Sequence, residues 1–140
     1  MSRELQVLAA VAVGGAVGAC ARFGVQQWWA RPAAGFPWAT LAINVLGSFL
    51  LGLLTVLTVV LAAWWWVKPL LGTGVLGGFT TFSAYVVVTS EFVLEDHLAL
   101  AVSYVVATPV LCVAAAWLGA HTPKALGLPH GHAPLARAQE

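Results

Sequence analysis

Side chains capable of chemistry are few in this chain, and most of them stand inside apolar sequence. Arg22 follows a glycine-rich apolar run and is followed by Phe23 to Trp29. Thr40, Asn44 and Ser48 are spaced i, i+4, i+8, which puts all three on one face of a helix with Gly47 beside them. Tyr104, Thr108 and Cys112 repeat that spacing, and Thr108 precedes Pro109, whose missing amide loosens a helix. Between these two tracks lies Gly72-Thr-Gly-Val-Leu-Gly-Gly-Phe-Thr-Thr-Phe-Ser-Ala-Tyr85, too apolar for a surface loop and too rich in glycine and hydroxyls for a regular helix.

Together these residues supply hydrogen-bond donors: a guanidinium, an amide, the hydroxyls of Thr40, Ser48, Thr80, Thr81, Ser83, Tyr104 and Thr108, and the positive edges of aromatic rings. Glu91 is the one acidic residue within an apolar run, and it lies near the end. Such a lining suits an anion. The glycine-rich break has a second use, because unwound backbone frees carbonyls that coordinate a hard cation such as Na⁺. Catalysis has no assembly point: no nucleophile elbow, no paired carboxylates at depth, and histidines clustered toward the ends. An enzyme is not expected.

Each group also has a plainer use. Arg22 either faces protein or snorkels to the interface, since an arginine at the bilayer centre costs at least about 2.5 kcal/mol. Asn44 serves either a site or interhelical adhesion. Phe79, Phe82 and Tyr85 recur at i+3 along one side of a half-helix, which is the pattern of core packing as well as of a site.

The elements that position these groups are membrane spans. The 140 residues are 61% hydrophobic and 8% charged, with mean hydropathy +0.91, against about 25% charged in soluble domains. Four apolar runs, Leu5 to Trp29, Trp38 to Trp66, Pro69 to Leu94 and Leu98 to Leu118, each exceed the ~18–20 residues that cross a bilayer. The expected fold is an all-α membrane protein of four transmembrane helices, the third broken mid-membrane, where a break is tolerated only if protein or a polar cavity covers it. Residues 1–120 form the channel-sized membrane domain and 121–140 a polar, disordered tail, with Pro129-His-Gly-His132 at most an adventitious metal binder. The first run is too long for a signal peptide and is read as a retained helix. Gly14 and Gly18 form a small-xxx-small pair for close helix approach. Trp28-Trp29, Trp38 and Trp64 to Trp66 mark interfaces. Net charge +1 offers no basic surface for nucleic acid, and Cys20 and Cys112, both inside spans, read as buried thiols.

Three stretches then carry a family resemblance: Gly14-Gly-Ala-Val-Gly-Ala-Cys-Ala-Arg22, Thr40-Leu-Ala-Ile-Asn-Val-Leu-Gly-Ser-Phe-Leu-Leu-Gly52 and Gly77-Gly-Phe-Thr-Thr-Phe-Ser83. In that order and spacing the chain resembles the Fluc (CrcB-like) fluoride channels of bacterial cell membranes, four-helix proteins that work as antiparallel, dual-topology dimers with two pores. The resemblance implies a passive channel exporting cytoplasmic fluoride. It implies a fluoride pore with Asn44, Phe82 and Tyr85, a polar track of Tyr104, Thr108 and Cys112, and Thr40 and Ser83 as further pore hydroxyls. It implies a structural Na⁺ at the dimer centre held by the backbone carbonyls of Gly77 and Thr80, and Arg22 at the vestibule and dimer contact. Two positions depart from the family pattern: Tyr85 stands for a phenylalanine, and Val88 stands where an acidic residue is usual, with Glu91 one turn later.

With the N-terminus in the cytoplasm, Arg3, Lys68, Lys124 and Arg137 all lie on the cytoplasmic side against Arg31 opposite. That bias implies one preferred orientation and a partner that is an oppositely oriented homologue; the alternative is a homodimer. A non-conducting subunit beside an active partner is the second functional reading, which the Tyr85 and Val88 departures keep open. A small multidrug exporter, the third, requires a titratable carboxylate deep in a span, where the first run has Arg22.

Overall fold

In the computed structural model, residues 2–29, 35–60 and 64–126 are described. Part of the Arg31 turn, the histidine pair at 130 and 132, and Arg137 therefore lie outside the described residues. Among those described there are helices and no strands. Helix is what apolar sequence of this length must form in lipid, because there each backbone amide and carbonyl has to be paired within the segment.

Helix α1 spans Arg3–Trp28 and α2 spans Trp38–Val60. Helix α3 is π-wound over Lys68–Leu76 and tightens to α-winding over Gly77–Phe79. Helix α4 spans Ser83–Leu94 and α5 spans Leu98–Ala125. Counting the interrupted stretch Lys68–Leu94 as one, these are four segments long and apolar enough to cross a membrane.

Glycines set how the segments pair. A Cβ on Gly14 would collide with the Leu70 carbonyl, one on Gly18 with the Val75 carbonyl, and one on Gly78 with the Gly15 carbonyl, so α1 and α3 touch backbone to backbone. On the other side of the bundle, Gly52 lies against the Ala116 carbonyl and Gly119 against the Phe49 carbonyl, which closes α2 onto α5 in the same way. The turn after α4 binds α4 to α5. There the His97 amide donates to the Phe92 carbonyl (2.8 Å) and the Asp96 amide to Val93 (3.3 Å), a Schellman closure with Asp96 at φ 57, a left-handed position that Asp accepts more readily than most residues. Leu41, Phe92, Ala101 and Tyr104 form the buried core between α2, α4 and α5.

Cys20 and Cys112, read as buried thiols, are exposed and half-buried respectively, and the sequence expectations meet four further differences. First, the glycine-rich stretch does not unwind: Gly72 to Phe79 stays helical, and the interruption is confined to Thr80–Phe82, because the glycines serve contact with α1. Second, Phe79, Phe82 and Tyr85 do not form one stripe, since the interruption separates Phe79 from the other two. Third, Trp65 and Trp66 lie in a turn beyond α2, which is assigned to Val60, and the Arg3 guanidinium stands 5.6 Å over the Trp65 ring. That contact puts the start of α1 and the α2–α3 turn at one end of the bundle. Fourth, α5 runs on past Leu118 to Ala125, so the residues at 121–125, read as tail, are helical.

Candidate functional site at the helix break

Thr80 adopts an extended ψ of 156° and ends α3. The two residues that follow are held by side chains in place of the helical ladder. Asn44 of α2 grips Thr81 twice: its Nδ2 donates to the Thr81 carbonyl at 2.9 Å, and its Oδ1 accepts the Thr81 amide at 2.8 Å. An amide side chain is the one group able to answer a peptide unit in both directions, and this pairing leaves it a single N–H to spare. Thr81 in turn caps α4, its Oγ1 accepting the Ala84 amide at 3.1 Å and lying 3.2 Å from Ser83 Oγ. Thr80 Oγ1 donates back to the Leu76 carbonyl at 2.9 Å.

These diversions have a consequence for two carbonyls. In continuous helix the Thr81 amide would bond to Gly77 and the Ala84 amide to Thr80. Here the first is taken by Asn44 and the second by Thr81 Oγ1, while Arg22 Nη1 of α1 reaches the Thr80 carbonyl at 3.3 Å. Arg22 is thus half-buried against protein and not stretched toward a lipid interface.

Beside the break opens a cavity of about 600 Å³ between α2, α3, α4 and α5. Of the residues expected at a site, Asn44, Phe82, Tyr85, Thr108, Gly77 and Thr80 line it, and so do Ser48 and Cys112. Phe82 is 77% exposed and Thr108 is 5% exposed. Among the described residues the buried Thr108 hydroxyl has no hydrogen-bond partner. Tyr85 packs with its ring centroid 5.6 Å from Phe82 and 5.3 Å from Tyr104.

Three expected pore residues are not on the cavity wall. Thr40 is buried one turn before Asn44. Ser83 is committed to Thr81. Tyr104 is fully buried behind Tyr85, ringed by Phe36 and Phe92 at near-perpendicular angles, so that it supports the wall from the core. The hydroxyls of Thr80 and Thr81, counted above as donors to a ligand, instead hold the break. What the sequence reading lacked is the role of the Thr81 backbone as the partner of Asn44. Its signal was available: an asparagine in an apolar helix needs a partner with both an amide and a carbonyl, and only interrupted backbone offers that pair.

Among the described residues no three of His, Cys, Asp and Glu gather where they could hold a metal ion. The polar side chains on the cavity wall are an amide, hydroxyls and a thiol, with Lys68 the one charged residue among those lining it.

Four apolar segments of membrane length, one of them interrupted beside a polar-edged cavity, define a multi-pass helical membrane protein. Residues 9–120 match the family model described as CrcB-like protein, Camphor Resistance (CrcB), and the chain belongs to that family. It is 44% identical over 118 residues to fluoride-specific ion channel FluC 1 of Streptomyces coelicolor, covering 84% of this chain and 77% of that protein. It is also 43% identical over 114 residues to fluoride-specific ion channel FluC of Agrobacterium fabrum (80% and 91%). With fluoride-specific ion channel FluC of Saccharophagus degradans the identity is 44% over 109 residues (76% and 80%).

Proposed function

We propose that the chain is the subunit of a passive, fluoride-selective channel that lets fluoride leave the cytoplasm down its gradient. The observation that carries this reading is a cavity lined by Asn44, which keeps one N–H beyond its bonds to Thr81, and by Thr108, whose buried hydroxyl has no partner among the described residues. A buried polar group left unpaired costs about 1–3 kcal/mol, and a small anion accepting from both donors removes that cost. The names of relatives at about 44% identity supply the ion.

Fluoride would exchange water for the Thr108 hydroxyl, the Asn44 N–H and the ring edges of Phe82 and Tyr85. A larger halide gains less from each of these contacts and fits the narrow track poorly, which gives selectivity over chloride. Arg22 adds positive charge near the break without entering the cavity wall. Among the described residues no carboxylate lines the cavity, so the carboxylate that a proton-coupled exchange of cations would need is not found there. That argues against a proton-coupled multidrug exporter, and the family is one of channels and not enzymes.

The working unit would be a dimer of oppositely oriented subunits, with a structural Na⁺ where they meet. The carbonyls of Gly77 and Thr80 fit such an ion: both lose their helical amide to a side chain, both edge the cavity, and backbone oxygens suit a hard cation. Bound there, Na⁺ would supply positive charge that ties two breaks together. Phe82, a large ring left 77% exposed by its own chain, would be covered by the second subunit. Arg3, Lys68 and Lys124 favour one orientation, so that the partner is either a second copy or an oppositely oriented homologue.

Liposomes loaded with fluoride and carrying only the purified chain test the reading. Rapid fluoride release that excludes chloride and is lost in Phe82→Ile supports a self-sufficient channel. Silence of the chain alone, restored by an oppositely oriented homologue, supports the partner-dependent subunit, and silence in both cases refutes the function.

A further inference from the structure

Tyr85 lines the cavity, but its hydroxyl is bonded to the backbone of α5. Tyr85 Oη donates to the Val105 carbonyl of α5 at 3.1 Å. Val105 is no arbitrary acceptor. Its helical donor would be the amide of the residue four positions on, and that residue is Pro109, which stands inside α5 and has no N–H. The proline ring also crowds the same carbonyl and tilts it out of the helix. Within a membrane segment, where no water replaces a missing donor, such a carbonyl needs a partner from a neighbouring helix.

We propose that Tyr85 is a positioning residue: its hydroxyl replaces the amide missing at Pro109, latching the half-helix α4 onto α5 and so fixing the Tyr85 ring edge at the cavity. The two features are then one device, a proline that opens a carbonyl on α5 and a tyrosine on α4 that fills it. Two observations support this beyond the bond itself. Pro109 lines the same cavity as the Tyr85 ring, beside Thr108. Tyr85 also packs on the core cluster through Tyr104, at a centroid distance of 5.3 Å, so that ring and hydroxyl are each held from the α5 side. The hydroxyl is therefore spent on structure and is no donor to the permeant ion. This inference deepens the channel reading where it concerns the ring edge, and rests on that reading there; the latch itself does not depend on which ion passes.

A double-mutant cycle tests it, with Tyr85→Phe, Pro109→Ala and the pair compared with the parent. Alanine at 109 returns an N–H to the Val105 carbonyl, and Pro109→Leu provides a second background that does the same. Thermal unfolding of the purified protein and fluoride efflux from liposomes are both read. The latch is expected to give Tyr85→Phe a roughly two- to tenfold loss in the folding equilibrium, with slower efflux, in the parent. In either Pro109 background Tyr85→Phe should change neither. 4-Aminophenylalanine at position 85, which keeps a donor at the ring tip, should restore the parent's unfolding midpoint. Equal losses in all backgrounds would overturn the inference, as would an efflux defect without any change in unfolding, the sign of a hydroxyl acting on the ion. Failure of both Pro109 variants to fold would also count against it, because restoring an amide to α5 should not be harmful. Coupling in the unfolding data from a protein silent to fluoride both alone and beside an oppositely oriented homologue would retain the latch and remove the channel reading.

Discussion

Replacing Asn44 by alanine removes both bonds that hold the Thr81 backbone. Asn44 is 8% exposed, and its side chain satisfies both the carbonyl and the amide of Thr81, at 2.9 and 2.8 Å. Alanine leaves a buried carbonyl and a buried amide without partners. At about 1–3 kcal/mol for each unsatisfied group, the loss is about 2–6 kcal/mol, a large part of a typical domain's stability. Asn44→Asp is informative beside it, because an ionised carboxylate still accepts from the Thr81 amide but sets a second oxygen against the Thr81 carbonyl. It should fall between the parent and alanine or below both, never at the parent level. Denaturant unfolding of the detergent-solubilised protein measures the loss, and hydrogen exchange at the Thr81 amide reads the site itself. Ser103→Ala serves as control, since that exposed hydroxyl bonds only to Ala99 of its own helix. An Asn44→Ala protein within about 0.5 kcal/mol of the parent, with Thr81 exchange unchanged, would refute the reasoning, for it would mean that the break finds its partners elsewhere.

Other expectations follow from the same contacts. Gly119→Ala and Gly52→Ala each drive a methyl into the backbone of the facing helix, and each should lower stability by about 1–3 kcal/mol in unfolding measurements, whereas Gly24→Ala, with nothing within 4 Å, should be neutral. Arg22→Gln removes the charged donor to the Thr80 carbonyl and should lower the unfolding free energy by about 1.5–3 kcal/mol, with Arg22→Lys intermediate because one ammonium cannot reproduce the planar fork. Thr81→Val deletes the cap on α4 and should cost about 0.5–2 kcal/mol while leaving the Asn44 bonds in place.

Much of this architecture was legible before any coordinates, for one physical reason: in lipid an apolar run of sufficient length has no alternative to helix. Leu98 onward and Trp38 onward could be read as spans from hydropathy alone, and Asn44 stood out because an amide in such a run must be paired. Length and apolarity say nothing of where helix ends near the interface, however. Trp64 to Trp66 are as apolar as the helix before them but lie outside it, and His121 to Ala125 look polar but continue α5. The glycine-rich stretch was legible in part: it does contain the break, at Thr80–Phe82, and is π-wound up to Leu76, but its glycines do not unwind it. Glycine signals both unwinding and close approach, and only the position of α1 against Gly74 and Gly78 decides for approach. The roles of the hydroxyls were beyond sequence altogether, since whether Thr80, Thr81 or Tyr85 turns toward the cavity or toward a backbone carbonyl depends on distances of one hydrogen bond.

The most direct test of the account is the reversal potential of a bilayer carrying only this chain, with a fluoride gradient opposed by a chloride gradient of the opposite direction, followed by symmetrical fluoride under a pH gradient. The account expects the first potential to sit at the fluoride equilibrium and the second at zero. A first potential set by chloride, or a second that follows the proton gradient, would contradict a passive fluoride-selective channel.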